Sequence, residues 1–404
     1  MATNEILEGL IKDPDRLKDL ADEAKELALQ HGALLRIFEN PNSSEVITYT
    51  PFTLFPSPVP KAKFLQALAL QIHYNLLVDR ISQDPGFLEE ALARRILQML
   101  GLLEESQCVP ENNCIAGMTR ALARAWELYG QQEAVVMFLV EDVQLHKLGQ
   151  RCIEHQLWRR GIRVIRRKFE EVSSTGHLNG DKKLFVDGLE VAVVFYCHGF
   201  MPENYKEQSW DVRLLMERSL AVKCPDISTH LAGTKKVQQE LARPGVLERF
   251  FPDQPQVVEQ IRATFAGLYS LDMGPEGDQT VAMALANPEK FVLKPQREGG
   301  GNNVYGEDIV RVLEEVKGDK RRAAYILMDK IRPKTEQNIL LKTGQPLKLT
   351  SVCYEIGAFG AYVRQGKDMV MNECVGHLLR TKNSEQFEGG ITARVSALDN
   401  PLLV

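Results

Sequence analysis

The sequence predicts an α/β protein that contains a small parallel α/β domain. Three observations predict it. Two apolar runs, Ala134 to Val140 and Glu190 to Tyr196, alternate with helical segments, the mark of strands buried on both faces of a parallel sheet. Near the C-terminus the runs Thr350 to Tyr354, Phe359 to Val363 and Met369 to Asn372 are separated by turn residues, including Arg364-Gln-Gly-Lys367, which argues antiparallel sheet. Between these regions a strand-like Phe291-Val-Leu293 opens directly into Lys294-Pro-Gln-Arg-Glu-Gly-Gly-Gly-Asn-Asn303.

The elements divide the chain at about 131 and 238. In residues 1–130, Asp13 caps a helix with Pro14 at its first position and Gly32 past its end. Leu17, Leu20, Ala21, Ala24, Leu27 and Ala28 keep to one face of it. A proline-punctuated extended segment from Val46 to Pro60 follows, then helices over Lys61 to Asp79 and Gly86 to Leu103, and a polar loop from Glu104 to Asn113. In residues 131–237 the strand Ala134 to Val140 leads to a helix over Arg151 to Arg160, a strand at Ile162 to Ile165, the strand ending at Tyr196, and a helix over Gln208 to Val222. In residues 238–404 a helix begun at Lys235 runs to Ala242, and a charged helical segment reaches Leu268. A helix over Glu307 to Lys317 and a strand over Ala324 to Met328 precede the C-terminal sheet.

Bulk composition narrows the function. Lys plus Arg is 49 against 54 Asp plus Glu, a net charge of −5, so no basic excess argues for nucleic acid or an anionic membrane. The longest apolar runs are too short to span a bilayer, and the acid-bearing N-terminus lacks a signal-like apolar core. Seven scattered cysteines, with no Cys/His set at zinc spacing, point to reduced thiols in the cytoplasm.

The chemistry concentrates in the C-terminal half. The run from Lys294 to Asn303 sets a lysine, an arginine, a carboxylate and three glycines side by side. A lysine neutralises phosphate oxygens, a glutamate is a hard oxygen ligand for Mg²⁺, and glycines let backbone N–H groups close over phosphates. No Gly-Lys-Ser/Thr follows, so this is not a Walker A loop; a glycine-rich hairpin with solvated charges reads the same way. Lys235 and Lys236 open a helix, where anions are attracted. Met328-Asp-Lys-Ile331 leaves a strand whose edge can hydrogen-bond a base, and Glu355 on the next strand can hold ribose hydroxyls. Arg380 and Lys382 lie two apart on an extended chain and therefore on one face, followed by Glu388-Gly-Gly390. His377 beside them reads as structural. Taken singly, each of these clusters also reads as a solvated helix start, an ordinary sheet edge or a charged strand.

In this order the clusters are specific. The chain resembles the eukaryotic-type glutathione synthetases, members of the ATP-grasp fold class. The likeness is carried by Ser44-Glu-Val46 with Pro51-Phe-Thr-Leu-Phe-Pro56, Ala125-Trp-Glu-Leu-Tyr-Gly130, Lys223-Cys-Pro-Asp-Ile227, Leu231 to Glu240, Ala263 to Ser270, Phe291 to Asn303, and Gly376-His-Leu-Leu-Arg-Thr-Lys382. The resemblance implies an ATP-grasp fold with an inserted substrate domain. It also implies a cytosolic homodimer that joins γ-glutamylcysteine to glycine with ATP and Mg²⁺, through an acyl phosphate. It implies that Lys235 and Lys294 hold ATP phosphates, that Glu298 ligates Mg²⁺, and that Gly299, Gly300, Gly301, Asn302 and Asn303 close over the triphosphate. Pro295, Gln296 and Arg297 belong to the same ATP-contacting run, and Tyr305 lies against the nucleotide. Met328, Asp329, Lys330 and Ile331 contact adenine, and Glu355 the ribose. Lys382 reaches the phosphates and Arg380 a substrate carboxylate, the two being the catalytic pair. Glu388 contacts ATP and begins a lid reaching Ile391 and Thr392, which with Gln150 and Gly199 contact substrate.

The chain also departs from the family. Relatives carry a long internal segment before the stretch resembling Arg94 to Leu103, which supplies dipeptide-binding residues and a Glu-x-Asn pair for the metal; this chain has no counterpart. Gln144-Leu-His146 stands where the family has Glu-Arg-Asn, Cys197-His-Gly-Phe200 where it has Arg-Asp-Gly-Tyr, and Ile391-Thr-Ala-Arg394 where small residues are usual. Two other readings follow: a nucleotide-binding variant that modulates an intact subunit, or a ligase for another carboxylate.

Overall fold

The computed structural model describes residues 9–30, 34–36, 47–81, 110, 112–142, 147–297, 302–386 and 396–403. The expected helix from Gly86 to Leu103 lies outside them. Helix α1 (Pro14–Gln30) starts where the sequence places it, with the Arg16 backbone N–H donating to Asp13 Oδ1 at 3.1 Å. Its buried Leu17, Ala21, Ala24 and Ala28 pack on Phe52, Leu54 and Ile339. The extended segment after it becomes short strands: β1 (Leu34–Arg36) paired with β2 (Ile47–Tyr49), then β3 (Phe52–Thr53) and β4 (Ser57–Val59). Helix α2 (Lys61–Ile81) matches its expected span.

Helix α3 (Cys114–Tyr129) was not read from the sequence. It ends at Gly130 with φ 81°, and its Cys114, Met118 and Leu122 join Phe138, Phe195, Val363 and Val375 in one core. That core fastens the small α/β sheet to the C-terminal hairpin.

The small sheet is built from β5 (Val135–Leu139), α4 (Lys147–Trp158), β6 (Val164–Arg167), α5 (Phe169–Thr175), β7 (His177–Leu178), β8 (Leu184–Val186), β9 (Leu189–Tyr196), α6 (Glu207–Arg218) and β10 (Val222–Cys224). Strands β6, β5, β9 and β10 are parallel, and every residue of β5 is buried, as its uninterrupted apolar run requires. Two features correct the sequence reading. Strands β7 and β8 add an antiparallel edge on β9, so the sheet is mixed. The helix expected to reach Val222 stops at Ser219, whose N–H and hydroxyl both return to Met216 O, and Val222 begins β10 instead.

Helix α7 (Ile227–Ala232) is capped by Asp226, whose Oδ1 accepts from the Thr229 N–H at 2.7 Å. Asp226→Ala should therefore cost about 1 kcal/mol in a urea melt. Helices α8 (Lys235–Ala242) and α9 (Pro255–Arg262) lead to a four-stranded antiparallel sheet in the order β11 (Leu268–Ser270), β14 (Tyr325–Asp329), β12 (Phe291–Pro295), β13 (Val304–Tyr305). The charged segment after α8 is thus helical only to Arg262, and Leu268 opens a strand. Helices α10 (Pro275–Ala286) and α11 (Glu307–Val316) cover this sheet around Leu271, Leu293, Ile309 and Leu327. A fully buried Arg322 ties the packing, donating to Lys317 O at 2.6 Å and Asp272 O at 2.8 Å. A Cβ on Gly277 would stand 1.8 Å from Asp272 O, a backbone atom that cannot step aside. Gly277→Ala should destabilise by roughly 1–3 kcal/mol in urea unfolding.

The last part is a closed five-stranded barrel, β15 (Glu336–Leu341), β16 (Leu349–Gln365), β17 (Asp368–Asn383), β18 (Ala397–Asp399) and β3; β19 (Pro401–Leu403) pairs with β4. The expected meander of short strands is a single long hairpin, β16 and β17, with register shifts at Phe359/Gly360 and Val363/Arg364.

Candidate nucleotide and substrate site

Among the described residues the predicted ones fall into three groups, at the four-stranded sheet, on the barrel and at one end of the small sheet. On the four-stranded sheet, Lys294 stands on β12 opposite Ile326 of β14. Gln296 just beyond it accepts from the Lys236 N–H at 3.0 Å, which sets the first turn of α8, and Lys235 with it, against the end of β12. Lys236 itself is held internally by Asp272, Ser270, Gln239 and Glu240. Pro295 ends β12, and Arg297 pairs with Glu203 at 2.7 Å, tying the start of the glycine-rich run to the turn after β9. Asn303 donates to Tyr305 OH at 3.4 Å on β13, and Asn302 precedes it. Met328 and Asp329 close β14, where Asp329 accepts from Tyr269 OH; burial and Asp329 together push that phenol up. The Lys330 N–H donates to Lys290 O, and Ile331 beyond it is exposed, an apolar face at the end of the strand.

On the barrel, Arg380 and Lys382 alternate with buried Leu379 and Thr381 and so share the opposite face of β17. Cross-strand pairing sets Arg380 opposite Glu355 and Lys382 opposite Cys353. Arg380 and Glu355 form an ion pair, a contact the sequence does not foretell. The chain passes from Asp329 on the first sheet to Glu336 on the barrel through residues 330–335. Those six residues span at most about 22 Å. Glu336 then pairs with Val352, the neighbour of Cys353, so the barrel cluster lies close to where this crossover lands.

His377 is buried, its ring edge-on to Phe64 at 5.1 Å. Burial pulls its imidazole down to about 4. Between about pH 6.5 and 4 the unfolded chain binds a proton that the folded chain refuses, so this group lowers stability as pH falls through that window. Buried Asp399, pushed up to about 6, has the opposite slope: its stabilising effect is lost as pH rises from about 4 to 6. In a His377→Gln variant the rise of the urea midpoint from about pH 4 to 6.5 should be smaller than in the parent. A rise equal to the parent's would reject the buried neutral His377.

At the small sheet, Gln150 on α4 accepts from Arg166 Nη2 at 2.5 Å, and Gly199 O accepts from Tyr205 OH at 2.6 Å. Both lie at the carboxyl ends of the parallel strands, the usual ligand side of such a sheet. His198 Nδ1 stands 3.2 Å from Glu141 Oε2, and burial pushes the Cys197 thiol up, so Cys197 and His198 are packed into this end. Arg166, which is paired with nearly fully buried Glu154 at 3.5 Å, was missed in the sequence because Val164-Ile-Arg-Arg167 reads simply as a strand end.

Glu298, Gly299, Gly300, Gly301, Glu388, Ile391, Thr392 and the Gln144-Leu-His146 stretch lie outside the described residues. Among the described residues no group of three His, Cys, Asp or Glu side chains could hold a metal ion, and no helix is long and apolar enough to cross a membrane.

The described residues thus combine a four-stranded antiparallel sheet, a five-stranded barrel and a mixed α/β sheet. The structure superposes on a glutathione synthetase-like effector from Globodera pallida in its apo form with a TM-score of 0.73, covering 97% of this chain and 98% of that one at 21% identity, a likeness of fold. The model of the eukaryotic glutathione synthase ATP-binding domain matches residues 14–99 and 92–403, and the chain belongs to that family. It is 45% identical to the glutathione synthetase of Bos taurus, covering 97% of this chain and 98% of the relative. Against the Homo sapiens protein the identity is 45%, with 99% of each covered, and against that of Xenopus laevis 43%, with 99% of this chain and 100% of the relative. The human alignment spans 473 positions, more than the 404 residues here, so the relatives carry residues without a counterpart in this chain. The two matched pieces of the family model meet at residues 92–99, where the sequence reading places that gap.

Proposed function

We propose that this chain ligates γ-glutamylcysteine to glycine with ATP, giving glutathione, ADP and phosphate. The observation that carries this is 45% identity to glutathione synthetases over nearly the whole of both chains. That likeness favours the synthetase over a nucleotide-binding modulator or a ligase for another acid.

In this reading the γ-phosphoryl group passes to a carboxylate oxygen of the dipeptide, releasing ADP. The glycine amine then attacks the acyl carbon, phosphate leaves, and the amine gives up a proton. Phosphoryl transfer needs charge neutralisation more than covalent help from the protein. We assign Lys235, Lys294 and Lys382 to the phosphates, and Arg380 to the reacting carboxylate. Asn302, Asn303 and Tyr305, with Pro295 to Arg297, border the triphosphate. Met328 to Ile331 border adenine, with the exposed Ile331 side chain as an apolar surface for the base, and Glu355 takes the ribose. Gln150 and Gly199 border the dipeptide, as do Ile391 and Thr392 beyond Glu388. We assign residues 131–237 as the substrate domain between the parts 1–130 and 238–404. ATP enters as its Mg²⁺ complex. We assign Glu298 as its protein carboxylate, the ion keeping waters and phosphate oxygens as its other ligands. The enzyme is placed in the cytoplasm as a homodimer.

A coupled ADP-release assay tests the reading. Turnover should require both γ-glutamylcysteine and glycine. Turnover with another acid and amine pair, or ATP binding with no turnover, would overturn it.

A further inference from the structure

We propose that Asp399 is a positioning residue for the phosphate end of the site, holding Thr381 and, through it, the flanking Arg380 and Lys382. The inference rests on the roles proposed above for those two cations. Asp399 is buried at the seam where the barrel closes, and five donors converge on its carboxylate. Oδ1 accepts from Thr53 Oγ1 at 2.9 Å, the Ser57 N–H at 3.1 Å and the Asn400 N–H at 2.7 Å. Oδ2 accepts from the hydroxyls of Ser57 and Thr381. These donors come from β3, the start of β4, β17 and the turn after β18.

All five donors are uncharged. A carboxylate buried among neutral donors is a costly way to fill space, and burial pushes its carboxyl up to about 6. What the arrangement supplies is geometry. Side chains alternate along a strand, so a Thr381 pinned inward aims Arg380 and Lys382 outward together. Register supports the same point: Leu379 pairs with Asp399, Arg380 with Leu398 and Thr381 with Ala397, so β18 pairs with β17 at Arg380 and at the threonine beside it, with Lys382 the next residue along. A reactant misplaced by an ångström can cost roughly a hundredfold in rate.

The test compares Thr381→Val, which keeps the branched shape but deletes the hydroxyl, with Thr381→Ser, which keeps the hydroxyl and deletes the methyl. Thr381→Val should raise KM for ATP and for the dipeptide about tenfold while KM for glycine stays unchanged, and Thr381→Ser should recover most of that loss even if its urea midpoint is no higher than that of Thr381→Val. Asp399→Asn should share the kinetic pattern of Thr381→Val; if it does not fold, the threonine pair decides alone. Kinetic losses that simply follow urea midpoints, with serine no better than valine, would overturn the positioning role. Lys382→Ala separates the two levels. If it leaves KM for ATP unchanged, the site assignment itself falls, and the proposal with it. If it raises KM while Thr381→Val does not, the positioning inference alone is rejected.

Discussion

Lys294→Ala should weaken ATP binding by about a hundredfold, measured by calorimetric titration of the protein with Mg²⁺ and ATP. Lys294 follows fully buried Leu293 on β12, in the middle of an antiparallel sheet, so its backbone is fixed whatever its side chain does. A charge-assisted hydrogen bond contributes roughly 1.5–3 kcal/mol, and the upper end corresponds to about a 150-fold change in affinity. The urea midpoint should stay close to that of the parent, because the aliphatic core around Leu293 is untouched. Lys294→Arg should retain part of the binding, since the charge survives while the compact ammonium is exchanged for a planar fork. Unchanged ATP affinity in the alanine variant would remove Lys294 from the site.

Much of this framework is legible in the sequence because its signals are local. Asp13-Pro14 caps α1, and the apolar run of β5 has the length and composition of a fully buried strand. The hairpin of β16 and β17 was misread because its glycines look like turns. Gly360 is instead a point of close approach: a Cβ there would stand 1.7 Å from Asn75 Oδ1, whose amide donates to Asn372 Oδ1 across the α2 seam. Helix α3 carried its own stop signal at Gly130, but the polar run before it hid the start. There Asn112 clamps His377 from 265 residues away, accepting from its N–H at 3.3 Å and donating to its carbonyl at 2.7 Å. No local pattern announces such a bond. The same holds for the site. The spacing of Arg380 and Lys382 gives their common face, while the pairing of Arg380 with Glu355 and the donors around Asp399 depend on strand register, which only the closed barrel defines.

Arg380→Ala should lower kcat/KM by about a hundred- to a thousandfold, the range seen when a preorganised donor to a developing charge is removed. Its effect on stability should be small. Arg380 and Glu355 are both partly exposed, and an ion pair of that kind contributes roughly 0–1 kcal/mol. A large kinetic loss with a small thermodynamic one is the signature of a side chain that acts on substrate. Glu355 behaves differently. Glu355→Gln keeps an acceptor for the ribose hydroxyls and releases Arg380 from its partner, so KM for ATP should rise about tenfold or less. Removing Arg380 leaves Glu355 as a carboxylate without its cross-strand cation, in the region assigned above to the triphosphate. Part of the Arg380→Ala loss should therefore be repulsion by Glu355. The double variant Arg380→Ala with Glu355→Gln should recover some activity relative to Arg380→Ala alone, a coupling of the kind contacting residues show. Strict additivity of the two changes would mean that the ion pair is incidental and that each residue meets its ligand independently.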